Sequence, residues 1–104
     1  MHGGTSEMMR QAARMQRKIE QVKTELQDRE VTSTAVQNRV QAVVTYGRQL
    51  KRIVVDPELI SSEGLEFAMD GVCAAVNTAL KQADREMETA LEKVTGGLPI
   101  PGLR

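Results

Sequence analysis

The chain has 104 residues, 14 basic and 14 acidic, with one Tyr, one Phe, no Trp and one Cys. That length fits one small domain and excludes a multidomain enzyme. Lone Cys73 excludes an intrachain disulfide framework and a multi-cysteine zinc site, and it fits a reducing cytosol.

Residues 1–5 are expected to be a flexible N-terminus, because Gly3-Gly4 holds a helix poorly. From Ser6 the pattern turns helical. Met8, Ala12, Met15, Ile19, Val22 and Leu26 alternate spacings of four and three, the apolar seam of a coiled coil. Thr5 or Ser6 is placed to cap the start, with Glu7 near the positive end of the dipole. A helix over 6–27 would run about 33 Å, more than a small monomer's core needs, so it calls for a partner helix.

Between Glu30 and Val55 the residues become β-branched: Val31, Thr32, Thr34 and Val36, then Val40, Val43, Val44 and Thr45, then Ile53, Val54 and Val55. Turn signals at Gln37-Asn38 and Gly47-Arg48 divide them into three strands of a meander. Val40, Ala42, Val44 and Tyr46 share one face while Val43 lies on the other, so both faces are candidates for burial.

Asp56-Pro57 closes the third strand and starts a short helical turn through Ile60. Ser61 or Ser62 then begins a second long helix, read over 63–94, about 48 Å. Its seam is Leu65, Met69, Val72, Val76, Leu80 (or Ala79), Ala83, Met87, Leu91 (or Ala90) and Val94. Gly96-Gly97 stops it, and Pro99 and Pro101 prevent it resuming. The domain therefore spans 6–95, and 96–104 form an extended Gly/Pro tail. That tail reads either as a solvated terminus or as a clip for a partner or its own dimer.

The fold class is α+β: long helix, three-stranded antiparallel meander, long helix. With so few aromatics and so short a chain, little surface can be buried alone, and an oligomer is expected. No apolar run reaches the roughly 18 residues of a membrane span, and Met1-His2-Gly3-Gly4 lacks a signal peptide's apolar core.

Net charge is zero, yet residues 1–55 carry ten bases and five acids, and residues 56–104 four and nine. Such asymmetry suits a polyanion-binding first half, or basic and acidic helices that neutralise each other in an assembly. Arg10, Arg14 and Arg17, with Lys18 beside them, form a stripe off the apolar seam. Lys23, Lys81 and Arg85 either extend it or are ordinary solvated charges. Arg48, Lys51 and Arg52 read as edge-protecting charges or phosphate ligands.

Chemistry for catalysis is absent from the pattern. His2 sits in the terminus, and Cys73 has no second Cys or structured His to assist it. Glu63, Glu66 and Asp70 are where a helix dipole favours acids, without a His to complete a metal set. No phosphate-cradling glycine loop occurs. The reading is no enzyme, no cofactor and no metal.

Five stretches, in order, resemble the YbaB/EbfC family of bacterial nucleoid-associated DNA-binding proteins. They are Met8-Met9-Arg10-Gln11-Ala12-Ala13-Arg14-Met15-Gln16, Glu30-Val31-Thr32, Leu50 to Pro57, Ala74 to Ala79, and Thr95 to Gly102. The likeness covers essentially the whole chain. It implies an intertwined homodimer with a shared central sheet and projecting helical arms that grip duplex DNA. It also implies little sequence specificity, a cytoplasmic nucleoid location, and a role in chromosome organisation or gene expression. Arg10, Arg14, Arg17, Lys18 and Lys23 are then the candidate DNA-binding residues. One departure is Ser33-Thr34-Ala35-Val36-Gln37-Asn38, where the family is glycine-rich, so the first hairpin should be stiffer or differently shaped. A sequence pI near 6.6 is low for a DNA binder, which points to modest, salt-sensitive affinity.

A second reading is a prefoldin-like chaperone or coiled-coil interaction module without DNA binding. The same two seams flanking short strands support it. Against it stand a first helix about two-thirds the length of the second by these boundaries, and a GGLPIPG tail with no place in that plan.

Overall fold

Two helices and a meander become one elongated body because the second long helix serves two partners. The computed structural model describes residues 3–97. Its elements are α1 (Gly3–Leu26), β1 (Glu30–Ala35), β2 (Val40–Thr45), β3 (Leu50–Val55), α2 (Pro57–Glu63) and α3 (Leu65–Thr95). The first half of α3 lies across the sheet and its second half runs beside α1 as a projecting arm, giving a molecule 75 Å long. The tail and His2 assignments fall on residues 98–104 and 1–2, outside those described.

The strands are antiparallel in the order β1-β2-β3, with Val31 opposite Val44 and Val40 opposite Val55. The expected meander is therefore present. Its first turn holds Val36, Gln37 and Asn38 at φ 53°, 55° and 67°, and its second holds Arg48 at φ 69°. The β2–β3 register shifts at Val43/Val44, so Lys51 has no partner across the ladder.

Only α3 spreads over the sheet, on the face carrying Val31, Val40, Ala42 and Val44. Among the described residues no helix layer covers the opposite face, although Val43 is buried there.

The buried line of α3 is Ala68, Gly71, Ala75, Ala79, Ala83, Leu91 and Thr95. Ala83, Leu91 and the alternative Ala79 are buried as the seam predicted, but the rest of the expected seam is corrected. Val72, Val76, Leu80, Met87 and Val94 are only half-buried, and Leu65 and Met69 are exposed. Small residues lie on the contact line because the valines of β2 fill the space between helix and sheet; the larger side chains flank it. Gly71 is the tightest point. A Cβ there would stand 2.8 Å from Val36 Cγ2 and 3.2 Å from Val40 Cγ2.

The start of that helix also differs from expectation. Asp56 does cap α2, its carboxylate accepting from the Glu58 N–H at 3.0 Å, with Pro57 at the first position. But the helix continues through Ser61 and Ser62 to Glu63. Gly64, at φ 95°, breaks it, and α3 begins at Leu65 with no side-chain cap. Ser61 instead donates back to the Pro57 carbonyl at 3.2 Å. At the other end Gly96, left-handed at φ 67°, closes α3 by donating to the Glu92 carbonyl.

Helix α1 begins at Gly3, before the expected Ser6. Thr5 and Ser6 are consequently inside it rather than capping it. Glu7 holds two arginines in place of a dipole role: Arg10 at 3.2 Å and Arg14 at 3.6 Å. The long helices have 24 and 31 residues, closer in length than the sequence boundaries suggested.

Candidate nucleic-acid interface

Where α1 and α3 run together, their register is set by the base of the arm. Tyr46 and Gly47 donate backbone N–H bonds to the Arg29 and Gln27 carbonyls at 2.8 and 2.9 Å, tying the β2–β3 turn to the end of α1. From the same turn, Arg48 pairs with Asp84 and the Tyr46 hydroxyl donates to Glu86 at 3.2 Å. Together they frame a cleft of about 380 Å³ lined by Lys23, Gln27, Tyr46, Gly47, Arg48, Asp84, Met87 and Glu88. The turn thus braces the arm against the sheet.

Ile19 is buried, and Val22 and Leu26 are half-buried, so the C-terminal half of the α1 seam packs as the spacing predicted. The N-terminal half does not. Every residue from 4 to 18 is exposed, Met8, Ala12 and Met15 included. The reason is length: α3 stops at Thr95, so this part of α1 stands out alone.

That projecting segment carries four of the five candidate residues. Arg10 and Arg14 converge on Glu7, while Arg17 and Lys18 have no ion-pair partner among the described residues. Four cations against one carboxylate leave a basic strip open to solvent on one helix. Lys23 stands apart. It lines the cleft at the arm's base, with Glu20 at 3.8 Å.

Of the other bases, Arg39, Arg48 and Arg52 are engaged, whereas Arg29, Lys51, Lys81, Arg85 and Lys93 make no ion pair among the described residues. Arg39 bonds Asp56 at 3.4 Å and Arg52 meets Glu30 at 3.8 Å, while Lys51 projects from β3, an edge strand. The Arg48 pair with Asp84 and the Tyr46 bond to Glu86 were not foreseen. Spacings of 36 and 40 residues leave no local signal for them. Cys73 is an exposed free thiol on α3, and no group of three or more metal-capable side chains gathers among the described residues.

The profile of the YbaB/EbfC DNA-binding family matches residues 1–98. The chain belongs to this family. A nucleoid-associated protein of Acetivibrio thermocellus is 37% identical over 102 residues, covering 97% of this chain and 90% of that one. Another nucleoid-associated protein, from Pelotomaculum thermopropionicum, is also 37% identical and covers 99% and 98% of the two chains. A crystal structure of an uncharacterized Helicobacter pylori protein superposes with a TM-score of 0.72 at 16% identity. It covers 88% of this chain and 96% of that one, so the helix–meander–helix fold is shared. Membership in the YbaB/EbfC family sets aside the prefoldin-like reading.

Proposed function

We propose that this YbaB/EbfC protein is a nucleoid-associated protein that binds duplex DNA with little sequence specificity, through phosphate contacts made by Arg10, Arg14, Arg17 and Lys18. The observation that carries the reading is the exposed basic strip on the unpaired segment of α1. A helix about 10–12 Å across, exposed from residue 4 to residue 18, can lie along a groove and present cations to phosphates without meeting base edges. Energy then comes from counterion release, which is blind to sequence. The function organises the chromosome or modulates expression within the cytoplasmic nucleoid, and no catalytic step is part of it. Lys23 lines the cleft at the arm's base, apart from the strip, and would extend the basic surface toward the sheet.

Two unrelated duplexes of equal length should compete for the protein within about threefold of each other, since phosphate spacing is common to both. A preference approaching the 10³-fold of specific binders would instead require base contacts.

A homodimer is the second part of the reading. Large apolar side chains stay exposed along β3 and beyond it: Leu50, Ile53 and Val54 on β3, then Ile60, Leu65, Phe67 and Met69. β3 is also a bare sheet edge, with backbone groups ready for another strand. Pairing two copies there covers both features and presents two arms to one duplex. Val54→Asp, which puts a charge into that contact, should halve the mass measured by light scattering from twice 11.5 kDa to one chain. An unchanged mass would place the contact elsewhere.

A further inference from the structure

The basic strip occupies one side of the unpaired α1 segment, and the apolar seam occupies the other. Met8, Ala12 and Met15 continue the line of Ile19, Val22 and Leu26, but α3 stops at Thr95 and leaves them bare. Ile19 is 3% exposed, and Met8, on the same line, is 70%. The α1–α3 interface is thus continued past the end of α3 by a line with the spacing for a partner helix and, among the described residues, no helix on it.

The residues beside that line indicate which helix fits it. Met9 and Gln16 flank it on one side, Gln11 and Lys18 on the other, while Glu7, Arg10, Arg14 and Arg17 fall at the outer positions. A helix this basic repels its own copy wherever cations line the contact. Here the seam and its flanks hold a single charge, Lys18, so a second copy meets an almost uncharged face. An acidic partner helix would find little to pair with there.

Orientation follows from side-chain size. In a parallel pair each seam residue meets itself, Met8 against Met8 and Ala12 against Ala12, which leaves a gap at each alanine. In an antiparallel pair centred on Arg10 the seams interlock. Met8 then faces Ala12 of the second copy and Met15 faces its Thr5, each layer occurring twice by symmetry. A large side chain meets a smaller one in every layer, and methionine adapts to the remaining space. On the flanks Gln11 meets Gln11, whose amides can bond each other, Met9 meets Met9, and Lys18 meets Gly4. This register covers residues 5–15, about 15 Å of helix, and ends short of Ile19, where α3 packs.

We infer that the bare half of α1 pairs antiparallel, tip to tip, with the same segment of a second copy. Measured along the paired helices, the two Leu26 residues are then about 48 Å apart, so the two sheets lie at opposite ends of the contact. The partner is therefore a different copy from the one proposed across β3. A contact this short is weak singly, and a dimer joined at β3, with two tips, multiplies it. Arg10, Arg14 and Arg17 stay outside the contact, so copies joined by their tips carry basic strips onto two stretches of duplex. That consequence rests on the DNA-binding reading; the contact itself does not.

The test uses the full chain without DNA. By sedimentation at high concentration, the average mass of the parent should be about twice, or more, that of a variant carrying Met8→Ser and Met15→Ser, which removes the seam without adding charge. Both side chains are exposed in the single chain, so the variant keeps its fold. Cross-linking reads the register. With Cys73→Ser in both, Met9→Cys, on the symmetry axis of the pair, should form an interchain disulfide about tenfold faster than Arg10→Cys, on the outer side. Equal masses of parent and serine variant, or equal disulfide rates at positions 9 and 10, would each overturn the proposal. Both readouts are taken without DNA, so a failure of duplex binding leaves them standing, and their failure leaves duplex binding untouched.

Discussion

Replacing Arg10, Arg14 and Arg17 together by alanine is expected to weaken duplex binding at least about a hundredfold at about 50 mM salt. In a dimer this removes six cations. Each phosphate left without its cation lowers the slope of log affinity against log salt by about 0.9, so the slope should flatten by up to about 5 units. Fold stability should hardly change, because these side chains are exposed and surface ion pairs contribute little. Glu7→Gln should act in the opposite direction. It removes the carboxylate that both Arg10 and Arg14 now approach, freeing them for phosphate. Arg48→Ala, where the guanidinium is held by Asp84 at the arm's base, should alter affinity less than about threefold. Fluorescence anisotropy on one labelled duplex measures all three. A triple variant that binds as tightly as the parent would move the site off α1.

Gly71→Leu is expected to cost about 3 kcal/mol of stability, read as a shift in the urea midpoint at constant slope. Leucine is a good helix former, and on propensity alone the change would stabilise by nearly 1 kcal/mol. The loss is therefore steric. The new Cβ alone would meet Val36 Cγ2 at 2.8 Å and Val40 Cγ2 at 3.2 Å, against the tightest part of the sheet–helix layer. Val36 is itself costly where it stands, a β-branched residue at φ 53°. Its side chain packs against the core, which offsets part of that strain. Val36→Gly should relax the backbone and open space together, so Gly71→Leu should cost less than half as much in that background. Equal costs in both backgrounds would separate the two residues.

This pair also explains what the sequence could and could not disclose. Strand positions were legible because β-branched runs alternate with turn residues, and Gly47-Arg48 and Gln37-Asn38 both proved to be turns. The conformation at Val36 was not legible. Where the resemblance pointed to a glycine-rich stretch, this chain places three left-handed residues, with Gly71 of the facing helix making room for Val36.

The seam of α3 misled for a related reason. Large apolar residues recur at heptad spacing, but the line that touches the sheet is the alanine row beside them. Nothing local marks which of two adjacent rows faces inward. On α1 the seam was read correctly in spacing and only half correctly in burial, since where α3 ends relative to α1 is a tertiary fact. The basic strip was legible residue by residue. That Arg17 and Lys18 are unpaired among the described residues, that Arg10 and Arg14 share Glu7, and that Lys23 sits in the cleft are facts of packing alone.

The central claim is that an exposed strip of cations on α1 binds DNA by displacing counterions, and salt dependence addresses it most directly. Titrating the protein into a labelled random-sequence duplex at about 50 and about 200 mM salt brackets the range in which phosphate contacts dominate. Six to eight contacts from the two arms of the proposed dimer predict a loss of affinity of at least about 10³-fold across that range. Affinity that stays nearly constant between the two, or no binding at the lower salt, would contradict the account.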